Sequence, residues 1–159
     1  MGTGELGVYY TSNGSNRVHH PALIHSIEGE FTRNPRTGRI QKMKSGGHGQ
    51  ANLELLDKLG IKYYIDKTFP NGVRQGRVEG HTVRKKREQS GQMWFPWHWT
   101  AADIVKAGEH VSGLKSNRNK PEGIIWWGTY KGVRVGIIKR NGQIQTIFPS
   151  EDQPKPKGR

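Results

Sequence analysis

Two histidines stand in unlike surroundings a short way apart. His25 lies in LIHSIEGE (Leu23–Glu30), with acids following it, and His48 lies in GGHGQ (Gly46–Gln50), with a glycine on either side. An imidazole has an unperturbed pKa near ~6.5, so both its protonated and neutral forms are at hand at neutral pH. A pair of imidazoles can take a proton from one oxygen and return one to another, each transfer worth roughly 10²–10⁴-fold in rate. A lysine or arginine beside them can hold the negative charge that builds up in between. Spacing alone does not choose the pair. The chain carries seven histidines, His19, His20, His25, His48, His81, His98 and His110, and a single histidine is more often structural or merely exposed. The glycines around His48 single it out, because a backbone without side chains lets a phosphate come close. By itself GGHGQ would read only as a flexible turn.

The charge says what such a pair would act on. The 159 residues carry 26 Lys+Arg against 13 Asp+Glu, a net charge of +13. So large an excess attracts polyanions, nucleic acid first. Cutting RNA without a metal needs a base for the 2′-OH, an acid for the leaving 5′-oxygen and a cation for the phosphorane, which is the set that two histidines and a lysine supply. The chain has no cysteine, which excludes disulfides, zinc thiolates and thiol catalysis. Acids are too few for an oxygen-rich metal site, and no His/Asp spacing repeats, so no metal or cofactor is expected. No apolar run approaches the ~18–20 residues of a membrane span, and no partner membrane is expected. No signal peptide opens the sequence, so export is expected to depend on a larger parent protein.

The elements that must position these groups read as α+β, with helices early and antiparallel sheet late. Residues 1–18, rich in Gly, Ser and Asn, read as a flexible lead-in, residues 19–149 as the domain, and residues 150–159 as a disordered basic tail. Pro21–Glu30 holds a short helix or turn and then a strand. QANLELLDKLG predicts a helix with Ala51, Leu55, Leu56 and Leu59 on one face and Gly60 as its stop. IKYYIDK and VRQGRV read as strands around the FPNG turn, and HTVRKK (His81–Lys86) as a third. MWFPWHW is an aromatic knot, expected to be core, with His98 structural within it. Thr100 caps the helix that follows, with Asp103 completing a capping-box pattern. IIWWGTY, VRVGIIK and QIQTIF then form a β-meander with turns at Lys131–Gly132 and Asn141–Gly142.

Four stretches in this order, IHSIEGE, SGGHGQ, KKREQSGQMWFPWHW and IQTIFP, resemble the EndoU family of endoribonucleases, in its bacterial toxin branch. The resemblance runs from about His20 to Pro149. It implies an EndoU-like, barnase-EndoU-type nuclease architecture of N-terminal helices and antiparallel sheets. Residue by residue, it implies His25 as general acid, His48 as general base and a catalytic lysine at Lys85 or Lys86. Lys86 is favoured, because Ser90 stands four residues on as a substrate-binding hydroxyl. The family's closing T-x-Y-P motif corresponds to Thr146, Ile147, Phe148 and Pro149, which implies Thr146 and Phe148 as binders of phosphate and uracil. Two features depart from the family. Phe148 stands for tyrosine, keeping a stacking face without the hydroxyl. The gap between His25 and His48 is long and is filled by basic, turn-like TRNPRTGRIQKMK, read as a hairpin insertion.

The activity so implied is metal-independent cleavage of RNA, tRNA among the possible substrates, at a uridine, leaving 2′,3′-cyclic phosphate ends. The same resemblance implies a contact-dependent growth inhibition toxin. It would be delivered from a cell surface as part of a larger protein, act in the target-cell cytoplasm and be blocked by an acidic immunity protein. The alternative is a non-catalytic basic domain that binds RNA or DNA, whose surface charge would be the same. A solvated strand edge explains RKKRE (Arg84–Glu88) equally well, since Lys and Arg blunt sheet edges. A core residue at a strand end explains Phe148.

Overall fold

The computed structural model describes residues 20–155; the expected lead-in, residues 1–18, lies outside them. Helix α1 (His20–Glu28) leads into a two-stranded hairpin of β1 (Glu30–Arg33) and β2 (Ile40–Ser45). Helix α2 (Gln50–Leu59) follows and stops at Gly60, which takes the left-handed conformation a helix end favours. Strands β3 (Tyr63–Thr68), β4 (Arg74–Val78) and β5 (Gln92–Trp94) form a second sheet, with α3 (Arg84–Glu88) between β4 and β5 in the chain. Helix α4 (Ala101–Ser112) then packs on a third sheet of β6 (Ile125–Tyr130), β7 (Val133–Arg140) and β8 (Gln143–Pro149). All strand pairings are antiparallel. The fold is α+β, as the chain's pattern predicts.

Local chemistry accounts for the sharpest of these boundaries. Thr100 Oγ1 accepts the Asp103 N–H at 3.2 Å while Asp103 Oδ2 accepts the Thr100 N–H at 2.8 Å, which closes the capping box that starts α4. The meander turns where expected, with Lys131, Gly132, Asn141 and Gly142 all at positive φ. Two consecutive left-handed residues give the primed turn whose twist matches the strands it joins.

The apolar residues form two cores. The larger lies among α1, α4 and the meander and includes Leu23, Ile27, Ile104, Val111, Ile137 and Ile147. The smaller gathers Met43, Leu53, Leu56, Val78 and Trp94. Strand alternation in and just after β5 serves both: Met93 and Phe95 enter the first core and Trp94, between them, enters the second.

Four expectations change. The buried face of α2 is Asn52, Leu53 and Leu56, while Leu59 is 37% exposed. Asn52 points inward because it satisfies two buried partners, donating to the Glu28 carbonyl at 2.8 Å and accepting from Trp94 Nε1 at 3.0 Å. HTVRKK is not a strand. His81 Nδ1 accepts the Val83 N–H at 2.9 Å, turning the chain into the single short helix α3, braced by Arg84 and Glu88 at i,i+4. The start of the expected tail is packed: Ser150 is buried, and the Gln153 side chain bonds both the N–H and the C=O of Arg134. Within the aromatic knot Trp94, Phe95 and Trp99 are buried, but Trp97 is 70% exposed with His98 edge-on to it, and His98 is exposed too.

Candidate active site

The glycines of GGHG do something other than open a phosphate nest. They seat their loop on the end of α1. Gly47 N–H donates to the His25 carbonyl at 2.9 Å, His48 N–H to Ser26 at 2.6 Å, and Gly49 N–H to Ile27 at 3.1 Å. These carbonyls belong to the last turns of α1, where a helix runs out of its own donors. Gly46 and Gly47 have φ of +67° and +71°, and a Cβ at Gly46 would overlap the His25 carbonyl oxygen. Gln92, fully buried, donates to the carbonyls of both Gly46 and Gly47 at 3.1 and 2.9 Å. The result is that the loop carrying His48 is bonded to the helical turn carrying His25.

His48 is 8% exposed. Its Nδ1 lies 2.8 Å from the Met93 carbonyl, an oxygen that can only accept, so Nδ1 carries the proton and Nε2 keeps a free lone pair. Burial pushes the ring down to about 3, with the Lys86 ammonium adding to the shift and the Met93 bond opposing it. The ring is therefore neutral at physiological pH, with its Nε2 lone pair unprotonated. His25 is differently held. Its Nδ1 sits 3.2 Å from Glu30 Oε1, and Ser45 Oγ donates to the same oxygen at 3.1 Å. The Ser45 hydroxyl foremost, and the His25 ring after it, keep the Glu30 carboxyl below the usual carboxylate range. An ionised Glu30 accepts a hydrogen bond from the Nδ1–H of His25, which leaves Nε2 facing away from the carboxylate as the nitrogen available for transfer.

A cleft of about 580 Å³ is lined by His25, His48, Lys86, Thr146 and Phe148, together with Ser45, Trp127 and Arg134. Lys85 and Lys86 part company here. Lys85 does not line the cleft and pairs with Glu151, at its rim, at 2.9 Å. Lys86 lines the cleft and forms no ion pair among the described residues; burial lowers its ammonium below the ordinary lysine value, and Lys85 adds to this. His81, buried at the start of α3, sets the course of the chain that delivers Lys86. Thr146 and Phe148 share a face of β8, and Phe148 lies with its ring 6.1 Å from that of His48 and 5.5 Å edge-on to Trp127. Half-buried, Phe148 is a wall of the cleft rather than a core residue. β8 is tied to α1 by the Ile147 N–H donating to the buried Ser26 Oγ at 3.2 Å.

Ser90 is not brought to this cleft. The helix ends at Glu88, Ser90 takes a positive φ of 56°, and its hydroxyl donates to Asp66 Oδ2 at 2.5 Å. Gly91 lines the cleft instead. Reading the sequence missed Glu30, Ser45, Gln92, Trp127 and Arg134. Arg134 spreads its guanidinium over the Trp127 ring at 4.2 Å and donates to Ser150 Oγ at 3.0 Å. No spacing in the chain announces it, since it reaches the cleft from β7, outside the four motifs. Glu30 could have been found, because an acid follows His25 at a fixed short interval.

A neutral imidazole with a free Nε2, a second histidine bonded to a carboxylate, and the cations Lys86 and Arg134 around one cleft form a site able to move protons beside an anionic group. The family model described as Bacterial EndoU nuclease matches residues 19–151. The domain is thus a nuclease. The chain belongs to the bacterial EndoU nuclease family. No curated protein and no solved structure matches it. Among the described residues no helix is long and apolar enough to cross a membrane.

Proposed function

We propose that this nuclease is a metal-independent endoribonuclease that uses the RNA's own 2′-OH. His48 Nε2 takes the 2′-OH proton, and the oxygen forms a bond to phosphorus. The bond from phosphorus to the 5′-oxygen breaks as His25 Nε2–H protonates that oxygen. The products are a 2′,3′-cyclic phosphate and a 5′-OH. Lys86, half-buried and unpaired with any described carboxylate, stabilises the negative charge of the phosphorane, the position where a fixed cation counts most. Phe148 offers a face for a pyrimidine, uridine by the family resemblance, and Thr146 a hydroxyl beside it. One observation carries the reading: His48 is fixed as the tautomer with a free Nε2, in the same cleft as a histidine held by a carboxylate. The family resemblance and the +13 charge further support a toxin module opposed by an acidic immunity protein.

The test is cleavage of a uridine-containing single-stranded RNA by the purified protein with and without EDTA. Cleavage is expected to survive chelation and leave cyclic phosphate ends. His25→Ala and His48→Ala should each abolish it, because the two transfers act as one unit. Near-native cleavage by either variant would remove that histidine from the mechanism. Cleavage lost to EDTA and restored by Mg²⁺ or Mn²⁺ would move the reaction to a metal site.

A further inference from the structure

We propose that the β1–β2 hairpin is an arm that binds phosphates of the RNA strand beyond the cleaved step. The proposal rests on the ribonuclease reading. The hairpin joins the two site histidines directly: Glu30 at its start bonds His25, and Ser45 at its end lines the cleft. Between them lie five cations, Arg33, Arg36, Arg39, Lys42 and Lys44, and Glu30 is the one acid of the segment. All five are exposed. Elsewhere Arg77, Arg84, Arg87, Lys85 and Lys131 each face a carboxylate. Among the described residues none of the five arm cations forms an ion pair, and Lys44 alone lies close enough to a carboxylate, Glu30, to lower it.

The arm is built rather than loose. Asn34 Oδ1 accepts the N–H groups of Arg36 and Thr37 at 2.8 and 3.1 Å, and Arg33 Nη1 donates to the Gly38 carbonyl at 2.8 Å. At the base, Met43 is fully buried, Phe31 packs on the smaller core, and the Thr82 N–H donates to the Met43 carbonyl at 3.0 Å. Guarding a strand edge explains Lys42 and Lys44. It does not explain Arg36 and Arg39, which lie in the turn, where no ladder needs protection. Guanidinium groups suit phosphate oxygens in geometry and charge. The six steps from Arg39 to Ser45 rise ~3.3 Å each, so the tip stands roughly 20 Å along the strand from the cleft rim. That reach passes the cleaved step and meets its flanks.

The experiment compares a uridine dinucleotide with a longer single-stranded RNA, using the triple variant Arg33→Gln, Arg36→Gln, Arg39→Gln. On the dinucleotide, kcat/KM should stay within about twofold of wild type. On the long RNA, KM should rise about tenfold at low salt with kcat unchanged, and the slope of log KM against log salt should shrink by ~2, at ~0.7 per phosphate contact. The triple Arg→Lys variant, which keeps the charge and loses the planar fork, should keep the salt slope near wild type. Equal losses on both substrates would overturn the proposal by placing the arm in the chemistry or the folding. No loss on the long RNA would overturn it in favour of an acidic protein partner. Direct binding of the long RNA to His48→Asn protein should show the same loss of slope. That readout stands even if wild type cleaves neither substrate and the ribonuclease reading fails.

Discussion

Replacing His48 by asparagine should make the domain less sensitive to acid. His48 is buried, and its ring is pushed down to about 3 in the folded protein, against ~6.5 for an unfolded histidine. As pH falls through the upper value the unfolded ring gains a proton and the folded ring does not, so stability is lost on the way down. Between pH 7 and pH 5 one such group destabilises the fold by ~2 kcal/mol. For a domain of this size that is roughly 4–8 °C in melting temperature. His81, also buried and pushed down to about 4, acts in the same direction and remains in the variant. Asparagine can still donate to the Met93 carbonyl, so the substitution removes the titration and keeps the bond. Thermal melts of both proteins at the two pH values should show a drop smaller by that amount in His48→Asn. Equal drops would mean that the native ring titrates near its ordinary value. The claim that packing depresses the ring would then fall. Following the His48 ring protons by NMR from pH 7 to 4 gives a direct check: they should not move.

Two further outcomes separate neighbours in the site. Lys86→Ala should lower kcat by about 10²–10³-fold, while Lys85→Ala, which removes the exposed pair with Glu151 and the lesser of the two pushes on the Lys86 ammonium, should change it little; similar losses from the two would erase the distinction drawn in the cleft. Phe148→Ala should cost cleavage through the ~1–3 kcal/mol of lost base stacking and little melting temperature, and Phe148→Tyr should be tolerated. A melting loss on the scale of a core truncation, ~3–5 kcal/mol, would return Phe148 to the core.

Much of this was legible along the chain because it depends on near neighbours. The Thr100–Asp103 capping box spans one turn, and Asn141–Gly142 sets a hairpin on its own, so both formed as read. The ordered motifs pointed to His25, His48, Lys86, Thr146 and Phe148, and one cleft holds all five. Local pattern failed where a polar residue took an inward place. Asn52 is hydrophilic by type, so the apolar face of α2 was drawn around it. In the fold it satisfies the Trp94 indole and the Glu28 carbonyl.

The sequence by itself determined the residue types, the order of the elements and the excess of positive charge. It did not determine which way a side chain faces once remote segments meet. Ser90 and Lys86 are four apart, a spacing that would align them on a continuing helix, yet the left-handed turn at Ser90 sends its hydroxyl to Asp66. Gln92 holds the His48 loop from 45 residues away, and Arg134 enters from the meander. The protonation state of His48 is likewise a tertiary property. Desolvation depends on what is packed around the ring, and the Met93 carbonyl that fixes its tautomer is 45 residues distant in the chain.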